Sequence, residues 1–373
     1  MEIDLKKPIP LYRQVADIIR ADILSGNISA GDQLASHQKL AGRYKVSLIT
    51  IKRALNELKA EGFLFSRAGK GTYVHQEPSR KLTLGTKTIG MVLRDLKSPF
   101  FSLIVHSVEE YASHKGYNIL ISNSAQQIEK EENIIRHFYD IGVNGLIIAS
   151  MTHEYSAPPF LRTPHTENYP CIMVSYVKDP DIYFVGTDHE KGGFLAADHL
   201  LSLGHRTLGY INGEEGNAVG DLRKDGFVRA LQQHDVPERD QFFFRLPLGG
   251  ESNDYSSGYA VGEEFLSLSR KPEAVFAYND LAGLGFEQAL LDKGVRVPDD
   301  IAIVGFDGIE RGQYAPVPLT TVQQPFDRIG ALAVENLIKR IEGQPVNTKT
   351  VLDPTLIVRE SCGAKVKIIK EHS

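Results

Sequence analysis

The sequence predicts an α/β protein in two parts: a small N-terminal winged helix-turn-helix, then a larger body of two parallel sheets wrapped by helices. Three observations carry this expectation. Residues 1–80 hold 13 Lys and Arg against 8 Asp and Glu, a net +5, whereas the rest of the chain holds 29 against 39, a net −10. Within the basic part, helix-spaced apolar residues give way to two short extended runs around the glycine-rich stretch Ala68-Gly69-Lys70-Gly71. Beyond residue 88, apolar runs of strand length alternate with segments of helical length, the pattern of a parallel sheet with helical crossovers.

The charge asymmetry decides where a polyanion can act. A small basic segment attracts phosphate and a large acidic one repels it, so nucleic acid is assigned to the N-terminus alone. A net +5 also suits a solvated charged face, so the residue pattern beneath it must discriminate. At 373 residues the chain is long enough for two or three domains. Cys171 and Cys362 are the only cysteines, without the paired spacing of a zinc site or disulfide framework, and read as structural thiols of a reducing compartment. Residues 1–7 lack the apolar core of a signal peptide, and no apolar run approaches the roughly 18 residues of a membrane span, so a cytoplasmic protein without a membrane partner is expected. The twelve histidines, His106, His114, His199 and His205 among them, show no ligand spacing, so no metal site is expected.

In the N-terminal part, Leu11, Val15, Ile18, Ile19 and Ile23 fall on one helical face, with Gly26 as a stop. Ser36 is a suitable N-cap for a short second helix ending near Tyr44. Ser47 opens a third, whose inner face is Ile51, Ala54, Leu55 and Leu58 and which Gly62 ends, leaving Thr50, Lys52 and Arg53 outside. Residues 63–67 and 72–75 read as strands of a hairpin, the wing.

PLYRQV, LASHQKLAGRYKVSLITIKRALNELKAEGFL and RAGKGTYV, between residues 8 and 74, resemble a GntR-type DNA-binding domain. The resemblance implies that the third helix enters the major groove, that the wing tip approaches the minor groove, and that a homodimer reads two half-sites of an operator arranged as an inverted repeat. Carried over position by position, Gln38, Ser47, Thr50 and Lys52 are the DNA contacts on the helices, and Gly69 and Lys70 those on the wing. The chain departs from the family at Ala35-Ser36-His37, where Pro-Ser-Glu is usual, and at Leu48, where a basic residue is usual. Leu48 either touches a thymine methyl or packs beside Ile49; it cannot hydrogen-bond a guanine. Lys52 and Arg53 are expected to hold phosphate, a positioning role without sequence information.

Residues 76–87, with Pro78, Ser79, Arg80, Lys81 and Gly85, read as a linker. Strands are expected at 89–93, 117–121 and 145–149 with helices at 100–114 and 128–141. A second round has 184–185 extended, a helix at 192–203, a strand at 207–211, a helix at 226–234, strands at 274–277 and 301–304, and a helix at 281–293. Two such sheets bury ligands at the carboxyl ends of their strands, in the cleft between them.

The segments TIGMVLRDLKSPFFSLIVHSVEEYASHKGYNILI, VGTDHEKGGFLAADHLLSLGHRTLGYI, AVFAYNDLAGLGFEQAL, VRVPDDIAIVGFDG and PLTTVQQPFDRIGALAVENLIKRI resemble the effector domain of LacI-type repressors, which is periplasmic-binding-protein-like with two subdomains. The resemblance implies that the chain crosses between subdomains several times and that a helix at 326–341 returns to the first. A GntR-type reader on such a sensor is the arrangement of arabinose-repressor-like regulators. The expected division is therefore 1–75 DNA-binding domain, 76–87 linker, 88–362 effector-binding and dimerisation domain, and 363–373 tail.

A neutral sugar effector presents paired hydroxyls, which call for planar polar groups and an aromatic face. By the resemblance, Arg223 grips effector hydroxyls, and Asn279 and Asp307 are further polar contacts. Asp280 reads first as the N-cap of the helix at 281–293, and Asp188 as a cap or hinge residue, with contact to the ligand the second reading for each. Asp95, Phe100 and Phe101 follow the first strand and Ser175 and Tyr176 follow 171–174; all should face the cleft, with Ser122 and Ser124 as further hydroxyls. No P-loop and no GxGxxG follows a first strand, so neither a nucleotide cofactor nor a catalytic residue is expected. The competing classes are an α/β-sheet enzyme and a cytoplasmic carbohydrate-binding protein, neither with a DNA role; the basic N-terminal reader argues against both.

Overall fold

The computed structural model describes residues 10–60, 62–67, 71–75, 87–149, 156, 158–162, 169–179, 181–247 and 254–364. The chain divides into two compact units, Met1–Gly85 and Thr86–Ser373. The expected linker lies outside the described residues except for Lys87.

The first unit has three helices, α1 (Leu11–Leu24), α2 (His37–Tyr44) and α3 (Leu48–Ala60), and an antiparallel pair, β1 (Leu64–Arg67) and β2 (Gly71–Val74). Ser36 caps α2 by accepting from Lys39 N, and Ser47 Oγ accepts from Thr50 N at 3.1 Å to cap α3. Val15, Ile19, Ile23, Leu40, Ile51, Ala54, Leu55, Leu58, Phe63 and Val74 form one buried core, in which the expected inner faces of α1 and α3 meet. The wing-tip residues Gly69 and Lys70 lie outside the described residues.

The second unit has two six-stranded sheets. The first runs β13–β7–β6–β5–β3–β4 and is parallel throughout: β3 (Thr88–Leu93), β4 (Asn118–Asn123), β5 (Gly145–Ala149), β6 (Cys171–Val174), β7 (Phe184–Thr187) and β13 (Lys349–Leu352). Helices α4 (Pro99–His114), α5 (Ile128–Asp140) and α10 (Phe326–Ile341) belong to it, α10 having returned from the second sheet to pack against α4. The second sheet runs β14–β12–β11–β10–β8–β9, parallel except for β14: β8 (Leu208–Asn212), β9 (Gln241–Arg245), β10 (Ala274–Ala277), β11 (Ala302–Asp307), β12 (Thr320–Gln323) and β14 (Thr355–Ile357). Its helices are α6 (His189–Ser202), α7 (Ala218–Gln233), α8 (Asp254–Ser267) and α9 (Asp280–Asp292). The chain crosses between sheets after β7, after β12 and after β13, so each sheet is completed by residues remote in sequence.

Two expectations need correction. Helix α7 starts at Ala218, not 226, because Asn217 caps it by accepting from Gly220 N and tertiary packing overrides the helix-weakening glycines. Those glycines serve that packing: a Cβ on Gly193 would lie 1.9 Å from Arg223 O, and one on Gly226 1.8 Å from Glu190 O, so α6 and α7 approach backbone to backbone. Strands β9, β12, β13 and β14 and helix α8 were not expected; β13 and β14 are short and pair only after long excursions.

Replacing Gly193 by Ala should force α6 and α7 apart and lower stability by about 1–3 kcal/mol, the usual cost of overpacking. The denaturant midpoint of the full-length variant measures this, and an unchanged midpoint would show that the crossing has slack.

Candidate functional site

On the first unit, the outer face of α3 carries Leu48 and Ile49, 43% and 78% exposed, with exposed Lys52, Arg53 and Asn56. Gln38 on α2 is exposed, as is Ser47, whose Oγ lies 2.8 Å from Thr50 Oγ1. The Arg53 guanidinium stacks over Tyr12, its carbon 4.0 Å from the ring centroid, which holds that cation at the flank of the helix. Leu48 is thus neither fully packed nor fully free. Ile49 was not singled out from the sequence, although apolar residues elsewhere on α3 fill its opposite face.

In the second unit, the structure brings together the three residues expected to grip an effector. Arg223 is 3% exposed in α7. It donates from Nη1 to Tyr278 O and from Nε to His189 Nδ1 at 3.4 Å, and its Nη2 is 3.7 Å from Asp307 Oδ1. Its guanidinium carbon lies 3.6 Å from the Phe306 ring centroid. Asp307, at the end of β11 with φ of 112°, accepts from Gln324 Nε2 at 2.7 Å. Gln324 in turn accepts from Thr187 Oγ1 at 2.6 Å, so the crossovers after β7 and β12 are bonded to each other and to Asp307.

Asn279 is the N-cap of α9, accepting from Ala282 N at 2.8 Å and donating from Nδ2 to Asp254 Oδ2 at 2.6 Å. This corrects the expectation that Asp280 is the cap. Asp280 is fully buried and turned inward, accepting from Gly308 N and Ile309 N, each at 2.8 Å, and from Thr321 Oγ1 at 2.6 Å. Asp188 caps α6 by accepting from Lys191 N.

The remaining expected residues stand on the first sheet. Asp95, after β3, accepts from Lys97 N at 2.9 Å in a local turn; Phe100 is half-buried and Phe101 joins the core, the two rings meeting edge to face. Ser175, after β6, is buried with φ of 99°, and half-buried Tyr176 meets Phe184 edge to face. Ser124 is buried and donates to Leu93 O, a structural bond, and Ser122 lies in β4.

Sequence reasoning missed His189, Asp254, Tyr278, Thr187 and Gln324. His189 is 3% exposed, and because its Nδ1 accepts from Arg223 the ring proton resides on Nε2, which has no hydrogen-bond partner among the described residues. Burial, then the Arg223 charge, pushes its pKa well down, so the ring is neutral. Burial raises both carboxyls of the centre. Repulsion from Asp307 adds to it for Asp280, at about 8, while Arg223 moderates it for Asp307, at about 6. No group of His, Cys, Asp and Glu residues suited to a metal ion occurs among the described residues. Among them, too, no helix is long and apolar enough to cross a membrane.

These features define a class: a winged helix-turn-helix reader joined to a two-sheet sensor with a buried polar centre. The model for bacterial regulatory proteins of the gntR family matches residues 11–74, and that for a periplasmic binding protein-like domain matches residues 197–362. The chain is 31% identical over 365 residues to the arabinose metabolism transcriptional repressor of Geobacillus stearothermophilus, covering 95% of this chain and 98% of that one. Among solved structures, it resembles a LacI family transcriptional regulator from Enterococcus faecium with bound ribose, at 27% identity and TM-score 0.64, covering 74% of this chain and 98% of that one. A periplasmic binding protein/LacI transcriptional regulator from Alkaliphilus metalliredigens, complexed with D-xylulofuranose, aligns at 26% identity and TM-score 0.63, over 74% of this chain and 99% of that one. The chain belongs to the family of GntR-type transcriptional repressors that carry a LacI-type, periplasmic-binding-protein-like effector domain. It is a DNA-binding regulator and not an enzyme.

The raised carboxyls make a signed prediction. A carboxyl whose folded pKa lies above its unfolded value stabilises the fold below the unfolded value, and that contribution is lost as pH rises through the folded one. For Asp280 the window runs from about 4 to about 8. His189 titrates in the unfolded state of both proteins alike and drops out of their comparison, so between pH 6.5 and 8.5 the wild type should lose more thermal stability than Asp280→Asn. Parallel melting curves for the two proteins over that range would contradict the assignment.

Proposed function

We propose that this repressor holds an operator, an inverted repeat read by a homodimer, through residues 1–75, and releases it when a small sugar or sugar derivative binds within residues 88–362. Residues 76–87 act as the linker and 363–373 as a tail. The protein works in the cytoplasm, where its DNA lies. The observation that carries the sensor reading is the buried polar centre in which Arg223 lies 3.7 Å from Asp307 and donates to Tyr278 O, next to Asn279 in the chain. A planar fork, a carboxylate and a carboxamide suit paired hydroxyls. His189 Nε2 adds an unspent buried donor. Asp95, Phe100, Phe101, Ser175 and Tyr176 belong to the opposite wall of the same cleft. The sugars bound to the two solved relatives support this class of effector.

In this mechanism, effector hydroxyls compete for bonds that Arg223 and Asp307 make internally. Since Asp307 is tied through Gln324 to Thr187, occupancy changes the crossovers and with them the relation of the two sheets. Operator affinity responds only if the effector binds one arrangement better than the other. On the reader, Gln38, Ser47, Leu48, Thr50, Gly69 and Lys70 approach the duplex, while Lys52 and Arg53 hold phosphates.

Two measurements test the reading. A thermal-shift screen of pentoses, hexoses and disaccharides identifies the effector, after which Arg223→Lys, which keeps the charge but loses the fork, should need ten- to a hundredfold more effector to release operator in a gel shift. This corresponds to about 1.5–3 kcal/mol. Release at the wild-type effector concentration would place the site elsewhere. For the reader, Lys52→Ala should weaken binding equally on all duplexes and reduce the slope of log affinity against log salt by about two, one for each subunit of the homodimer; a change in sequence preference would instead make Lys52 a base reader.

A further inference from the structure

Building on the proposed DNA-reading role, we infer that Ile49 is the residue of α3 that reads sequence, by apolar contact with a thymine methyl in the major groove. The operator half-site then carries an A·T pair where the N-terminus of α3 enters. Successive residues of an α-helix point about 100° apart, and the core side of α3 is fixed by fully buried Ile51, Ala54, Leu55 and Leu58. That geometry sets Leu48 at the margin of the buried arc, beside Leu55. Ile49 falls in the middle of the outer arc, between Lys52 and Arg53 and alongside Asn56. Exposure agrees: 43% for Leu48 and 78% for Ile49.

Four of the neighbouring polar groups are bonded to one another or placed for phosphate. Ser47 Oγ accepts the capping bond from Thr50 N and shares a second bond with Thr50 Oγ1, so the two hydroxyls retain one proton between them for an outside partner. Arg53 is stacked on Tyr12 at the flank, where its guanidinium edge faces backbone phosphate more readily than base edges. Lys52, a full turn along the helix from Leu48, is a point charge suited to phosphate. A lone exposed isoleucine on a protein surface is ordinary. Here it occupies the middle of the face that must contact bases, and the one base-edge group in the major groove that an aliphatic side chain recognises is the thymine methyl.

The test uses the full-length protein. Duplexes selected from a random pool define the half-site, and each thymine in it is then replaced singly by deoxyuridine, which deletes only the methyl group. Wild type should lose about three- to fivefold in affinity at one position, the order expected for one buried methyl group. Ile49→Ala should show no loss there, and Ile49→Val should restore it. A flat uridine scan with wild type overturns the inference, as does a loss that persists in Ile49→Ala or disappears only in Leu48→Ala. If the pool yields no enriched sequence and the protein binds no duplex at low salt, the DNA-reading role itself falls, an outcome distinct from the others.

Discussion

Backbone contact between neighbouring helices is the constraint on which the sensor depends. Gly193 and Gly226 let α6 and α7 touch, and the atom facing Gly193 is the carbonyl of Arg223 itself. The residue at the centre of the site is therefore held by its own main chain before its side chain makes any bond. The same device recurs at α8 and α9: a Cβ on Gly258 would lie 2.1 Å from Ala282 O, and one on Gly285 1.9 Å from Tyr255 O. That pair fixes the first turns of both helices, where Asp254 and Asn279 meet. Both sides of the polar centre thus rest on approaches that no side chain larger than hydrogen permits.

Given those positions, electrostatics sets the protonation of the centre. Arg223 is nearly fully buried, and a buried cation is tolerated only when paired and hydrogen-bonded. Asp307 supplies the charge, Tyr278 O and His189 Nδ1 the acceptors, and Phe306 a ring face. Asp280 lies close enough to Asp307 for the two to repel, and three donors from the 308–321 segment hold it in place. The two carboxyls therefore differ in role: Asp280 ties a loop to α9, and Asp307 faces Arg223.

Periodicity read the helices of the first unit and the first round of the α/β body, because their apolar faces pack against near neighbours in sequence. It failed where partners are distant. Thr187 and Gln324 are 137 residues apart and His189 and Arg223 are 34 apart, so their meeting depends on chain crossings that no local pattern records. Arg223, Asn279 and Asp307 were legible through resemblance, not through spacing. At 279–280 two good capping residues stand side by side, and tertiary bonds from Gly308 and Ile309 withdrew Asp280 and left the cap to Asn279. The start of α7 was hidden by Gly220 and Gly226, whose low helix propensity is the same property that allows the close crossing.

The reader and the sensor meet opposite physical demands. The reader displays exposed cations and apolar side chains whose partners arrive with the duplex, so few of its bonds are made in advance. In the sensor, Arg223 is bonded to Tyr278 O and His189 Nδ1 and faces Asp307, while Asp307, Gln324 and Thr187 form a chain of hydrogen bonds, so in the proposed mechanism a ligand that takes Arg223 competes with internal bonds. Gln324 uses its amide nitrogen on Asp307 and its amide oxygen on Thr187; turning the amide to follow a displaced Asp307 would present the nitrogen to Thr187 in place of the oxygen. In the proposed mechanism, ligand entry and rearrangement at the two crossovers are one event, and the free energy that couples them is bounded by the difference in ligand affinity between the two arrangements.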